Sequence, residues 1–277
     1  MKVISVGSGS SGNSFIVKSD TACIIVDAGI SAKRTIKALR ENEICTEDVL
    51  AIMITHEHID HVKSIKTLAN KLENATVYAS EGTICASSEI GKLDERRVEA
   101  ISAGDCIVIE NTMIKTFNLS HDAAEPIGYS ISEKGIKVSI ITDTGTITDE
   151  IYNEISSSDM IVLEANHDEN ILMYGDYPYG LKMRILGDLG HLSNYTAANT
   201  LCDYLREYYS KINMSYDKKQ SGIKLPLIMF AHLSEKNNAP LYVRQTIDTT
   251  LKERGFLRGV HYNMEIAVKD EVRIIKR

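Results

Sequence analysis

One short stretch, Thr55-His56-Glu57-His58-Ile59-Asp60-His61, constrains this chain more than any other. It follows an apolar, β-compatible run over residues 49–54 and precedes a segment with helical spacing. Three histidines and an aspartate therefore crowd into one turn at the end of a strand. Imidazole and carboxylate are the ligand types that suit zinc, manganese and iron, so the stretch reads as a metal site. The plainer alternative is a polar strand-to-helix loop.

Bulk properties fit that reading. A chain of 277 residues can bury a large core, and 43% hydrophobic with 25% charged residues is ordinary for a globular protein. No run of eighteen apolar residues occurs, so no transmembrane helix and no membrane partner is expected. Residues 1–7 read as a strand that starts at once, with no signal peptide. The five cysteines, Cys23, Cys45, Cys85, Cys106 and Cys202, are scattered and never form a C-x-x-C pair. Most sit in apolar surroundings and are read as buried reduced thiols, which points to the cytoplasm. A net charge of −7 argues against a protein that coats nucleic acid. It does not exclude an enzyme that grips phosphates locally, because bound cations add charge that a sequence count omits.

Taken in order, residues 2–29 read as three strands, with the loop Gly7-Ser8-Gly9-Ser10-Ser11-Gly12-Asn13 after the first. Such a loop can approach a ligand closely and offer N–H groups to an anion, or simply close a hairpin. Asp27 ends the third strand; it either orients metal-bound histidines from behind or makes an Asx turn or helix cap. Helices are expected over 31–42, near 62–72 and from Ser80 through Ile90, with a short strand at 76–79. This alternation indicates α/β architecture. Consecutive strands follow at 107–109, 113–119, 127–132 and 136–141, with His121 and Asp143 just past two of them. A second alternation then begins: a helix near 149–155, a strand at 160–163 and a helix after His167.

Residues 174–184 combine tyrosines with Lys182 and Arg184, a pairing that suits bases and phosphates, although a rigid loop is the plainer reading. Gly190-His191-Leu192-Ser193 leads into a helix running to about Tyr209, with Ser193 as the cap. The polar stretch 211–224 reads as a surface insertion. A buried strand then ends at His232; a helix near 240–254 and two strands close the chain, and His261 is read as a packed structural histidine.

Seven metal-capable residues thus lie at strand ends: His56, His58, Asp60, His61, His121, Asp143 and His232. One ion takes four to six ligands, so seven groups point to two ions. The natural division gives His56, His58 and His121 to one, and Asp60, His61 and His232 to the other, with Asp143 between them. The tripeptide His-Leu-Ser occurs at both 191–193 and 232–234, so either histidine could be the last ligand. His232 follows the stronger buried strand and is preferred.

These residues, in this order, resemble the metallo-β-lactamase fold superfamily, and the resemblance covers nearly the whole chain. It implies a four-layer αββα sandwich of two pseudo-repeated halves, a dinuclear site at its edge, and Asp27 in the place of the family's early aspartate. Residues 1–277 are expected to form a single domain with no inserted cap. The stretches at 7–14, 190–194 and 231–238 are similar to those of the bacterial YycJ (WalJ) group, which implies an exonuclease acting on nucleic acid, with DNA preferred to RNA. Two divalent ions are implied, zinc first, with manganese or iron as alternatives. Such a pair can hold a bridging hydroxide as nucleophile, with Asp60, and stabilise both attacking and leaving oxygens of a phosphodiester.

An alkoxide leaving group also benefits from a general acid. His191 is the candidate, and Glu164 would orient it, as in the Glu and His pair of transfer-RNA 3′-processing endonucleases of the same fold. Ser11, Asn13, Lys182 and Arg184 are the expected phosphate contacts. Rival readings are thioester or small cyclic-phosphodiester hydrolysis, and a non-catalytic, metal-binding regulatory partner.

Overall fold

A computed structural model describes residues 1–212 and 224–277. Most of the expected insertion over 211–224 lies outside the described residues. The strands are β1 (Lys2–Gly7), β2 (Ser14–Lys18), β3 (Cys23–Val26), β4 (Val49–Met53), β5 (Thr76–Ser80), β6 (Val98–Ile101), β7 (Cys106–Ile109), β8 (Thr112–Asn118), β9 (Ile127–Glu133), β10 (Ile136–Ile141), β11 (Met160–Glu164), β12 (Leu227–Ala231), β13 (Asn263–Ile266) and β14 (Arg273–Lys276). The helices are α1 (Ala32–Glu41), α2 (Ile59–Val62), α3 (Ile65–Ala69), α4 (Glu81–Ala86), α5 (Asp149–Ser156), α6 (Glu169–Tyr174), α7 (Tyr179–Leu186), α8 (Asn194–Lys211) and α9 (Pro240–Glu253).

The strands form two seven-stranded sheets, ordered β14-β1-β2-β3-β4-β5-β6 and β13-β12-β11-β10-β9-β8-β7. Both follow one pairing plan. From β14 to β3, and from β7 to β10, neighbours are antiparallel; from β3 to β6, and from β10 to β13, they are parallel. The switch from one mode to the other therefore falls at β3 in the first half and at β10 in the second.

Alternation along the strands sorts their side chains into three layers of core. Phe15, Val17, Ile24 and Val26 join Tyr129, Ile131, Val138 and Val162 between the sheets. Ile16 and Ile25 face the other way, against α1 and α3. Phe117, Ile161 and Phe230 pack under α5, α8 and α9. Apolar residues on both faces of each sheet leave room only for helix, sheet, sheet, helix, the expected αββα sandwich.

Three local expectations need correction. The helix expected near 62–72 is broken into α2 and α3, because Ser64 turns aside to hydrogen-bond the Ala28 and Ile30 carbonyls; Leu68 and Leu72 are nevertheless fully buried. The helix capped by Ser80 stops at Ala86 instead of running to Ile90. Of the cysteines, only Cys23 and Cys202 are buried; Cys45, Cys85 and Cys106 are exposed, and all five are free thiols. His261 packs as expected, accepting from the Leu257 N–H at 2.8 Å. Among the described residues no helix is long and apolar enough to cross a membrane.

Candidate metal centre

The parallel strands of both sheets end at one rim of the sandwich, and the candidate residues gather there. Asp27 follows β3, the histidine stretch follows β4, Asp143 follows β10, Glu164 ends β11, and His232 follows β12. Three of these residues leave their strands in the left-handed region: Asp27 at φ 63°, Asp143 at 61° and His232 at 57°. Non-glycine residues rarely adopt that conformation, and Asp and His are among those that tolerate it. Asp27 and Asp143 occupy the same place in the two halves, just past the strand where pairing changes mode.

Donor atoms of His56, His58 and His121 lie within 4.8 Å of one another, as do those of Asp60, His61 and His232. Asp143 belongs with both sets: it groups with His56 and His61, and again with Glu164, His191 and His232. The structure thus brings all seven candidates to one place, in overlapping groups that also take in Glu164 and His191.

Most of the rings are held from behind. Asp27 accepts from the Thr55 N–H at 2.9 Å and from its hydroxyl at 3.0 Å, and receives Nδ1 of His61 at 2.8 Å. Its carboxylate therefore orients a histidine, and the Asx-turn alternative is not seen. The Thr55 hydroxyl also meets His56 Nδ1 at 3.0 Å; His121 Nδ1 donates to the Gly190 carbonyl at 3.1 Å; His232 Nδ1 donates to Glu164 at 2.7 Å. Fixing one ring nitrogen in this way presents the other as a ligand. Nε2 of His56, Nε2 of His232 and Oδ2 of Asp143 are buried without a hydrogen-bond partner. Buried polar atoms are seldom left so, and these three face the same space as the other donors, which is what divalent cations require. The residues fit the metals.

Electrostatics point the same way. Burial lowers the His56 pKa well below the usual range, and the neighbouring His61 adds to it. Burial opposes charge on Asp143 as well, but His232 and His61 outweigh it and hold the carboxyl well below its ordinary value. Glu164 is likewise brought down to about 2, burial being overcome by His191 and His232.

Above this floor opens a cleft of about 250 Å³. His191 lines it, and its Nδ1 meets Glu164 at 2.8 Å, so one carboxylate holds His191 and His232 together. Burial works against a charged His191 ring, yet Glu164 outweighs it and raises the pKa.

The expected phosphate contacts fare differently. Arg184 lines the cleft and pairs with Asp122. Lys182, by contrast, donates to the Met173 and Gly175 carbonyls at 2.8 and 2.7 Å, closing the end of α6. Asn13 is fully buried and braces the floor: its amide reaches Asp60 at 3.3 Å and His61 at 3.1 Å. Ser11 offers its carbonyl to Lys63 and is not among the cleft residues. The glycine-serine loop reaches the cleft through Ser10 and is otherwise braced internally. The N–H groups of Gly9, Gly12 and Asn13 are spent on Asn13 Oδ1, the Gly9 carbonyl and the Asp60 carbonyl. Gly29 is required by the same bracing, because a Cβ there would run into the Asp60 carbonyl oxygen. The rigid loop expected at 174–184 is in part the helix α7.

Sequence reasoning overlooked Thr55, Ser8 and Asn166. Ser8 accepts from the His232 N–H at 2.8 Å, and Asn166 donates to the His232 carbonyl at 2.9 Å, together pinning that strained residue. Only position, next to known candidates, could have marked them. His167 is buried with neither ring nitrogen hydrogen-bonded.

Comparison with known proteins adds the following. Residues 23–207 match the model of a family described as the beta-lactamase superfamily domain. The chain is 35% identical over 262 residues to the exodeoxyribonuclease YycJ of Bacillus anthracis, covering 94% of this chain and 92% of that protein. It is 37% identical over 222 residues to the exodeoxyribonuclease WalJ of Streptococcus pneumoniae serotype 2, covering 79% and 82%. Among solved structures, Zn(2+)-bound PqqB from Methylobacterium extorquens superposes with a TM-score of 0.66 at 14% identity, covering 99% of both chains. The metallo-beta-lactamase fold protein YhfI from Bacillus subtilis gives 0.65 at 14%, covering 99% of this chain and 98% of that one.

Proposed function

This chain belongs to the metallo-β-lactamase superfamily, in its YycJ-like group, and from that premise we propose that it is a two-metal phosphodiester hydrolase that shortens DNA from an end. The observation that carries the reading is the pair Glu164–His191, 2.8 Å apart and opening on the cleft beside the seven donors. A thioester releases a thiolate and has little need of a general acid, whereas an alkoxide leaving a phosphodiester does. The names of the relatives favour DNA over RNA.

His56, His58 and His121 would hold one divalent cation, Asp60, His61 and His232 the other, with Asp143 serving both. Bound there, zinc or an equivalent ion supplies Lewis acidity that activates water and neutralises the phosphate. Asp60 accepts a hydrogen bond from the attacking water, aims its lone pair at phosphorus and takes up the proton the water loses as it attacks. The water oxygen forms a bond to phosphorus while the bond to the leaving ester oxygen breaks. His191, with Nδ1 committed to Glu164, gives its other proton to that oxygen. On this reading residues 1–277 act as one domain, since both sheets feed the one site, and free thiols and a DNA substrate fit a cytoplasmic protein.

The test is a single-turnover assay on end-labelled linear DNA, with Mn²⁺ or Zn²⁺ and with a chelator. Label should be released from linear DNA only with metal, while covalently closed circles survive. Failure of metal-loaded protein to cut any DNA would overturn the reading.

A further inference from the structure

The cleft is lopsided. Its floor is imidazole and carboxylate, but one wall is apolar, made by Tyr177 with Leu181 and Ile185. Leu181 and Ile185 are four residues apart on α7 and share a face of it. A phosphodiester offers that wall nothing, being all charged and polar oxygens. Nor does the wall serve the core, for α7 contributes no buried residue. Arg184 lies on the same face of the helix, its guanidinium tied to Asp122, and the Lys236 ammonium stands 5.4 Å from the centre of the Tyr177 ring. An aromatic and two aliphatic side chains, with Lys236 over one face of the Tyr177 ring and an Arg184–Asp122 pair close by, suit a base carrying a phosphate.

Resting on the phosphodiesterase reading above, we propose that this wall is a nucleobase subsite, and that its occupant is the unpaired terminal nucleotide of a DNA strand, its base stacked on Tyr177. Stacking needs an open base face, and a base inside a duplex has both faces covered, so the end must fray before it enters. The cleft, about 250 Å³, is on the scale of a single small ligand such as one nucleotide. Tyr179 and Tyr174, 71% and 89% exposed, flank Tyr177 in the chain.

The experiment compares single-stranded DNA bearing a normal terminal nucleotide with the same strand bearing an abasic one, placed at each end in turn. Metal-loaded full chain is used, with single-turnover cleavage and anisotropy on phosphorothioate-blocked strands as readouts. Base stacking is worth about 1–3 kcal/mol, so wild type should prefer the base-bearing end by roughly 5- to 150-fold in KM. Tyr177→Phe should keep that preference and Tyr177→Ala lose it, with little change in the rate at saturation. Equal use of both ends by wild type would overturn the subsite, and this comparison needs no variant. Cleavage with an undiminished preference in Tyr177→Ala would overturn it too, while leaving the nuclease reading intact. A metal-loaded chain that neither binds nor cuts either strand would overturn both.

Discussion

His191 and His232 lie with ring centres 5.2 Å apart, and both are anchored on Glu164 Oε1. What separates them is the other side of each ring. Both line the cleft, but His232 is buried, with Nε2 3.5 Å from Asp60, whereas His191 is more exposed. His232→Ala should therefore bind one metal fewer per chain, and His191→Ala should keep its full complement while losing about 10²- to 10⁴-fold in DNA cleavage. Metal analysis of the two purified variants, beside their single-turnover rates, checks this; loss of metal only in His191→Ala would reverse the roles. At this scale the candidate metal donors were legible in the sequence because three histidines and an aspartate crowd into one turn after a strand. The neutral residues behind them were not. Thr55, Ser8 and Asn166 act through single hydrogen bonds, a use that any surface Ser, Thr or Asn shares. Lys182 and Asn13 were misjudged for a related reason: a sequence gives no sign of which carbonyls or carboxylates lie within reach of a side chain.

At the scale of elements, strands were legible from alternation, and their ends from the polar residues that interrupt it. Helix lengths were less so, since Ser64 and Ser87 end or break helical runs through tertiary hydrogen bonds or a turn. The attachment of α5 illustrates a contact no periodicity reveals. Its buried Glu154 accepts from Lys115 of β8 at 2.5 Å and from Ser130 of β9 at 2.8 Å, and also pairs with Lys137 of β10. Burial would raise the Glu154 pKa, but these partners outweigh it and bring it down to about 2. A depressed carboxyl contributes stability above its unfolded pKa of about 4.5, and the contribution fades as pH falls toward 2. With one lysine partner half in water, its worth at neutral pH is about 2 kcal/mol. Urea unfolding should show Glu154→Gln less stable than wild type by about that amount at pH 7. The gap should narrow steadily between pH 4.5 and pH 2.5; a gap that is constant with pH would contradict the assignment.

Across the whole molecule, the two halves repeat one pairing plan and meet at the rim where Asp27 and Asp143 sit in equivalent places. The fold class was readable because strands and helices alternate twice; the equivalence of the two aspartates was not, since it depends on where pairing changes mode in each sheet. Without metal, the junction concentrates Asp27, Asp60, Asp143 and Glu164 in buried or nearly buried positions. Ions held between donors from both sheets would clip the halves together. At a metal concentration a thousandfold above Kd, the gain is about 4 kcal/mol, or roughly 10 °C in a chain of this size. Calorimetry with and without a chelator should show a shift of that order, absent in Asp143→Asn. The most direct measurement is the number of metal ions bound per chain in protein purified without added metal and then titrated with zinc to saturation. Two tightly held ions per chain are predicted, falling to one in His121→Ala. A wild-type chain that saturates at one ion, or that holds none, would contradict the two-metal account.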